Sequence, residues 1–356
     1  MKFGPVPLPD AAGAILAHKR TANGNAFKKG RVLTADDITI LEQAGVSEVV
    51  VAQLEEGDIG EDLAAERIGN ICCGPGVIPS TAFASRANLH ADNDGILVID
   101  QQRLDQMNRI NEGVTLSTIP AFEVVQRQQL VATVKIIPFA VHGSAVTEWE
   151  TAIMEEGAPI RIAPFKHLRV GLIQTRVPGM REKVLDKTVG VTRTRIETLG
   201  GTLIDQIRCD HETDALLSAI QRLQAGGTEL ILIIGASSIV DRRDVIPAAI
   251  VGAGGAVDHY GMPVDPGNLI LMGHLAHKPG KTSVLGLPGC ARSPKLNGLD
   301  WLLRRLMANL PVTSSDIMGM GIGGLLKEIP SRPLPRSEAG EARVTPTPRI
   351  GALVLA

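Results

Sequence analysis

The sequence predicts an α/β protein in which a strand-rich α+β region precedes a mostly parallel sheet. Three observations predict it. From Leu168 onward, apolar runs alternate with amphipathic stretches, the order that gives parallel strands joined by crossover helices. Residues 95–141 instead carry short β-branched runs (GILVI, TLSTI, EVV, QLVATVKIIPFAV) broken by turn signals. Finally, the apolar runs of the second half end in Gly-rich or Pro-Gly segments, IIGASS and LGLPG among them.

In RVLTADDITILEQAGVSEVVVA (31–52), Thr34 stands as an N-cap ahead of Asp36 and Asp37. Ile38, Leu41 and Ala44 follow at helical spacing, Gly45 stops the helix and VSEVVVA is a strand. A helical pattern, DQQRLDQMNRI, interrupts the strands of 95–141, and the acidic AVTEWETAIMEEG precedes APIRIAPFK. The composition places an accessory region, with room for two subdomains, at 1–145 and a second domain at 146–328. In that domain LRVGLIQT (168–175) is a buried strand, 181–199 a helix, GGTLIDQIR (200–208) a strand, ETDALLSAIQRL (212–223) a helix and LILII the next strand. LNGLDWLLRRLM is a further amphipathic helix.

The chain has 356 residues, 44% of them hydrophobic, enough for a large core and more than one domain. Lys and Arg number 36 against 38 Asp and Glu, a net charge of −2, so no global positive field suits a nucleic acid. MKFGPVPLPDAAG lacks the pattern of a signal peptide, and no stretch approaches the 18 or so apolar residues of a membrane span. The expectation is a cytoplasmic protein without nucleic-acid or membrane partners. Cys72, Cys73, Cys209 and Cys290 are too few and scattered for a disulfide framework or a CxxC metal pair, and read as reduced. The isolated His90, His142, His211 and His259 offer no zinc spacing.

Ligands of parallel sheets bind outside the carboxyl ends of strands, where N–H groups and helix N-termini favour anions. IIGASSIVDRRD lies at such an end, although Gly-Ala-Ser-Ser is also an ordinary tight turn and matches neither the dinucleotide nor the NTPase glycine pattern. From Lys166 to Arg195 there are eight Lys or Arg against two acids, Glu182 and Asp186. That run is either a solvated face or a phosphate cleft.

GASSIVDRRDVIPAA, GMPVDPGNL (261–269) and VLGLPG (284–289), in this order and spacing, resemble the molybdopterin-binding domain of molybdenum-cofactor biosynthesis proteins, the molybdopterin molybdotransferases above all. The resemblance spans about 168–328, with KKGRVLTADDITILEQAGVSEVVV and SRANLHA more loosely similar to the accessory domains. It implies a three-layer domain that binds molybdopterin, free or adenylated, with Mg²⁺, and takes part in molybdate insertion or cofactor modification as a transferase. It also implies a homo-oligomer and molybdoenzyme acceptors.

Carried onto this chain, the resemblance makes Thr175, Asp186, Gly235, Ala236, Ser237, Ser238, Arg243, Pro266, Gly267, Pro288 and Gly289 ligand-binding. It makes Asp210, Asp241 and Asp244 catalytic, with Asp210 and Asp244 as the Mg²⁺ carboxylates. Asp210 also stands where a cap for the helix from Glu212 would. Three departures are Ala236 for the second loop Gly, Asn268 for the Lys of the family's PGK, and Cys290 for the Asn of its LPGN turn. Losing the Lys removes a cation for an oxyanion, so a non-catalytic molybdopterin-holding module is the alternative. An unrelated α/β phosphate enzyme is a third. Cys290, after its Pro-Gly turn, is expected to be exposed with Arg292 near enough to lower its pKa.

IPSRPLPRSEAGEARVTPTPR (329–349) holds five Pro in 21 positions and reads as a linker. The closing GALVLA resembles the first strand of the molybdenum-cofactor nucleotidyltransferases, which implies the N-terminal part of a fusion. A C-terminal edge strand is the plainer alternative.

Overall fold

The five residues Leu230–Ile234 are all buried, and their side chains divide between two cores. Leu230, Leu232 and Ile234 enter one and Ile231 and Ile233 the other, as the two-residue period of a strand requires. A strand apolar at every position needs cover on both faces, and this one sits inside a six-stranded sheet. A computed structural model describes residues 1–265, 267–277 and 280–326.

In chain order the elements of this unit are β1 (Arg169–Arg176), α1 (Glu182–Thr198), β2 (Thr202–Asp210), α2 (Thr213–Ala225), β3 (Leu230–Ile234) and α3 (Val245–Gly252). Then follow β4 (Gly255–Met262), β5 (Asn268–His277), β6 (Gly280–Leu287), α4 (Gly298–Met307) and α5 (Ser314–Met318). The strand order is β2-β1-β3-β6-β5-β4. β2, β1, β3 and β6 run parallel, whereas β5 and β4 are antiparallel additions at one edge.

The chain leaves β1 to one side for β2, then returns past it to β3. The two crossovers therefore run in opposite directions, which puts α1 and α2 on opposite faces. Ile196 of α1 packs with Leu299, Leu302 and Leu303 of α4 on one side, while Leu216, Ile220 and Leu223 of α2 pack with Ile246 and Ile250 of α3 on the other. The strand order reverses between β1 and β3, the kind of switch point at whose carboxyl ends such sheets bind ligands.

The first half holds two further cores. Leu8, Phe27, Leu33, Leu41, Val49 and Val51 pack around the sheet of Lys2–Pro7, Glu48–Gln53 and Ile15–Leu16. The helix Ala35–Gln43 opens with a reciprocal capping box between Thr34 and Asp37, as its sequence predicts. The second core lies under the antiparallel sheet of Val114–Thr118, Leu130–Ile136, Arg86–Ala91 and Val77–Pro79.

Trp149 and Ile153 of the helix Gly143–Glu156, and Ile160 and Ile162 of the strand Ile160–Pro164, belong to that second core. The segment up to Pro164 thus packs with the strands before it, and the large sheet begins at Arg169. The acidic helix buries its apolar face backwards, against the strands before it. No described helix is long and apolar enough to cross a membrane. Pro266, the 329–348 linker and the 349–356 strand lie outside the described residues.

Two measurements test this packing. Leu232→Ala is expected to lower the unfolding free energy by about 2–5 kcal/mol in a urea titration, because its site is closed on both sides. The Arg31 guanidinium donates two hydrogen bonds to Asp37 at 2.8 Å and, with the Thr34 backbone and side chain, holds that carboxyl below its usual range. A carboxyl depressed by folding contributes stability that is complete above its unfolded pKa of about 3.9 and is lost as the pH falls through the folded value. Asp37→Asn should accordingly destabilise at neutral pH and flatten the acid-side fall in thermal stability.

Candidate functional site

At the carboxyl ends of β1 and β3, where the strand order reverses, Thr175 is fully buried. Its hydroxyl accepts the Ala236 N–H at 2.8 Å and pairs with His211 Nδ1 at 2.8 Å. One side chain thereby joins the ends of β1, β3 and β2. Arg292, in the short turn after β6, brings in the fourth parallel strand. Its Nη1 donates to Gln174 Oε1 at 3.2 Å and to Thr188 Oγ1 at 3.1 Å, and its Nη2 donates to the Gly235 carbonyl at 3.2 Å. Burial pushes the Arg292 guanidinium below its usual value.

The loop 235–244 has one conformation built in. A Cβ on Gly235 would stand 2.5 Å from the Ser237 carbonyl oxygen, so only glycine fits. Ile239 is buried as a plug, and a Cβ on Gly286 would come within 2.8 Å of its Cδ1. Tyr260 donates its hydroxyl to the Ile239 carbonyl at 2.7 Å. Asp244 accepts from Val245 N at 2.7 Å and from Val240 N at 3.1 Å, capping α3 and closing the loop. Asp241 accepts from both Arg243 N and Arg243 Nε at 2.9 Å, which lowers its pKa. Ser237 and Ser238 remain exposed at the tip, and Arg243 projects into solvent.

Asp210, at the end of β2, is exposed and meets Arg176 Nε at 3.3 Å. It does not cap α2. That helix begins at Thr213 behind Glu212, and no side chain caps it. Asp210 instead lines a cavity of about 480 Å³ together with Arg176, Glu182, His211 and Glu212. Asp186 is drawn elsewhere, onto Arg208 Nη2 at 2.6 Å, beside Glu182 on Arg208 Nη1 at 2.5 Å.

Asn268 opens β5 at the same edge of the sheet, because β5 runs antiparallel to β6. It is buried; its Nδ2 lies 4.0 Å from Cys290 Sγ, and its Oδ1 meets no partner among the described residues. Gly267, beside it, takes a φ of 74°, the left-handed region that favours glycine. Pro288 and Gly289 lead into the turn that carries Arg292.

Cys290 is exposed as expected, but burial of its sulfur and the Asp265 carboxylate push the thiol up. Arg292 does not lower it, since its guanidinium is engaged under Gly235. Among the described residues no three His, Cys, Asp or Glu side chains converge as a metal group.

The fold thus brings Thr175, Gly235, Ala236, Ser237, Ser238, Asp241, Arg243 and Asp244 into one loop system, with Asp210 on its flank. Gln174, Thr188, His211 and Arg292 were missed as site residues. The available signal was position, since His211 directly follows a strand end and Arg292 a Pro-Gly turn.

Residues 5–53 match a family described as a domain of unknown function (DUF8806), and no curated protein matches the chain. Among solved structures, the chain is similar to the tungsten cofactor synthesizing protein MoaB from Pyrococcus furiosus. The identity is 16%, over 40% of this chain and 91% of that one, with a TM-score of 0.30. It is also similar to a protein assigned to molybdenum cofactor biosynthesis from Corynebacterium diphtheriae, at 14% identity over 43% of this chain and 99% of that one, with a TM-score of 0.31. Likeness at this level speaks to neither ligand nor chemistry.

Asp244→Ala should cost about 1 kcal/mol of stability through the lost cap. Hydrogen exchange should speed up at Val240 and Val245 with little change in the cores.

Proposed function

We propose that the chain binds a phosphorylated pterin, molybdopterin or its adenylated form, at the carboxyl edge of the large sheet, and acts in molybdenum-cofactor biosynthesis through a three-layer molybdopterin-binding domain. One observation carries it. GASSIVDRRD and GMPVDPGNL, which bear the family resemblance, both reach the turn that directly follows VLGLPG, the first through the Arg292 bond to Gly235 and the second through Asn268, 4.0 Å from Cys290. A phosphate seated there would face the loop N–H groups near Ser237 and Ser238, with Arg176 and Arg243 to neutralise it. Catalysis would consist of positioning and charge neutralisation.

Magnesium, when bound, would offset phosphate charge. Asp210 is the more available of the two carboxylates, being exposed and meeting only Arg176 among the described residues, at 3.3 Å. Asp244 fits that task poorly, both of its oxygens being taken by backbone N–H groups.

The second proposal, a module that holds the pterin without inserting molybdate, is favoured by Asn268. An uncharged, buried amide stands where the molybdotransferase pattern has a lysine. A fused nucleotidyltransferase, a homo-oligomer and molybdoenzyme acceptors belong to the proposal on the sequence resemblance alone.

Fluorescence titration with free and adenylated molybdopterin, with and without Mg²⁺ and molybdate, separates these outcomes. Binding that tightens with Mg²⁺, weakens in Asp210→Ala and is followed by AMP release on adding molybdate supports a transferase. Saturable binding without release supports the holding module. Absence of binding to either pterin form sinks both.

A further inference from the structure

α1 carries charges of both signs, and the fold sorts them. Glu182 and Asp186 are drawn to Arg208 on β2, at 2.5 and 2.6 Å. Arg181, Lys183 and Lys187 point instead into a cavity of about 550 Å³, which Thr188, Gly289 and Arg292 also line. Four cations therefore surround one cavity, and no acidic side chain lines it. None of the four pairs with a carboxylate among the described residues. Such an excess is unfavourable without a counter-charge, since like charges held together in a partly shielded hollow repel one another.

A second observation points the same way. α1 is a 17-residue helix whose N-cap, Arg181, makes no side-chain capping bond. Arg181, Lys183 and Val184, at the start of that helix, line the cavity, and the positive end of the helix adds to the field of the cations there. Arg292 is half buried there, with its Nη atoms on Gln174, Thr188 and Gly235. Burial already disfavours its charge, and an anion would relieve that. Gly289 leaves open space on the opposite wall.

We infer that this cavity is a phosphate-binding site, built to take the phosphoryl group of a small ligand between the first turns of α1 and the Pro288–Arg292 turn. It adjoins the loop site through Arg292, yet it rests on charge and geometry alone and stands whether or not that ligand is a pterin. The phosphoryl group could belong to a nucleotide or to a ligand without a base.

Isothermal titration of the full chain with inorganic pyrophosphate and, separately, with AMP, at constant ionic strength, tests it. Saturable one-to-one binding of pyrophosphate is expected, weakened about tenfold or more in the double variant Lys183→Ala/Lys187→Ala, whose exposed side chains can be removed without disturbing a core. Arg193→Ala, on the same helix and paired with Glu197, should bind as the parent does. Equal binding of AMP assigns the site to a nucleotide phosphate, and a marked preference for pyrophosphate assigns it to a phosphate without a base. Failure of pyrophosphate to saturate, an undiminished affinity in the double variant, or an equal loss in Arg193→Ala would overturn the inference. None of these results depends on pterin binding.

Discussion

A single buried hydroxyl holds the carboxyl edge of the sheet together. Thr175 meets the Ala236 amide and the His211 ring at once, and so sets the spacing of three strand ends that share no loop. A hydroxyl in a buried position must find partners, because leaving it unpaired costs roughly 1–3 kcal/mol. That requirement fixes where the loop after β3 begins. The Gly235 carbonyl then becomes available to Arg292, and the turn after β6 is drawn to the same place.

Electrostatics at this edge depend on the sheet as much as on the loops. Arg208 stands on β2 and gathers two carboxylates from α1. The same helix can then show an acidic flank toward β2 and a basic flank toward the Pro288–Arg292 turn. Exposed pairs of this sort add little stability. Their consequence lies in the field they leave over the adjoining cavities.

Much of the architecture was legible in the sequence because the governing rules are local. The Thr34 cap, the amphipathic α2 and the continuous apolar run of β3 each follow from a few neighbouring residues. β4 and β5 are not legible in this way, since their apolar residues are broken by glycine and histidine and the strands are supported by their pairing with each other and with β6, a long-range fact. The helix Gly143–Glu156 was legible as a helix, but not the core that it joins. At the site, the loop residues were readable from pattern. The partners of Asp186, Asp210 and Arg292 were not, because each bond crosses between elements separated by at least 22 residues. The cap expected of Asp210 failed for a related reason, as its carboxylate is turned to Arg176.

The plug formed by Ile239 and the clamp formed by Asp244 bear on kinetics as well as shape. A loop that is ordered before a ligand arrives leaves little conformational entropy to be surrendered on association. Encounter can then proceed with little rearrangement of the backbone, and differences in affinity between related ligands should lie in how long each stays, rather than in how fast each enters.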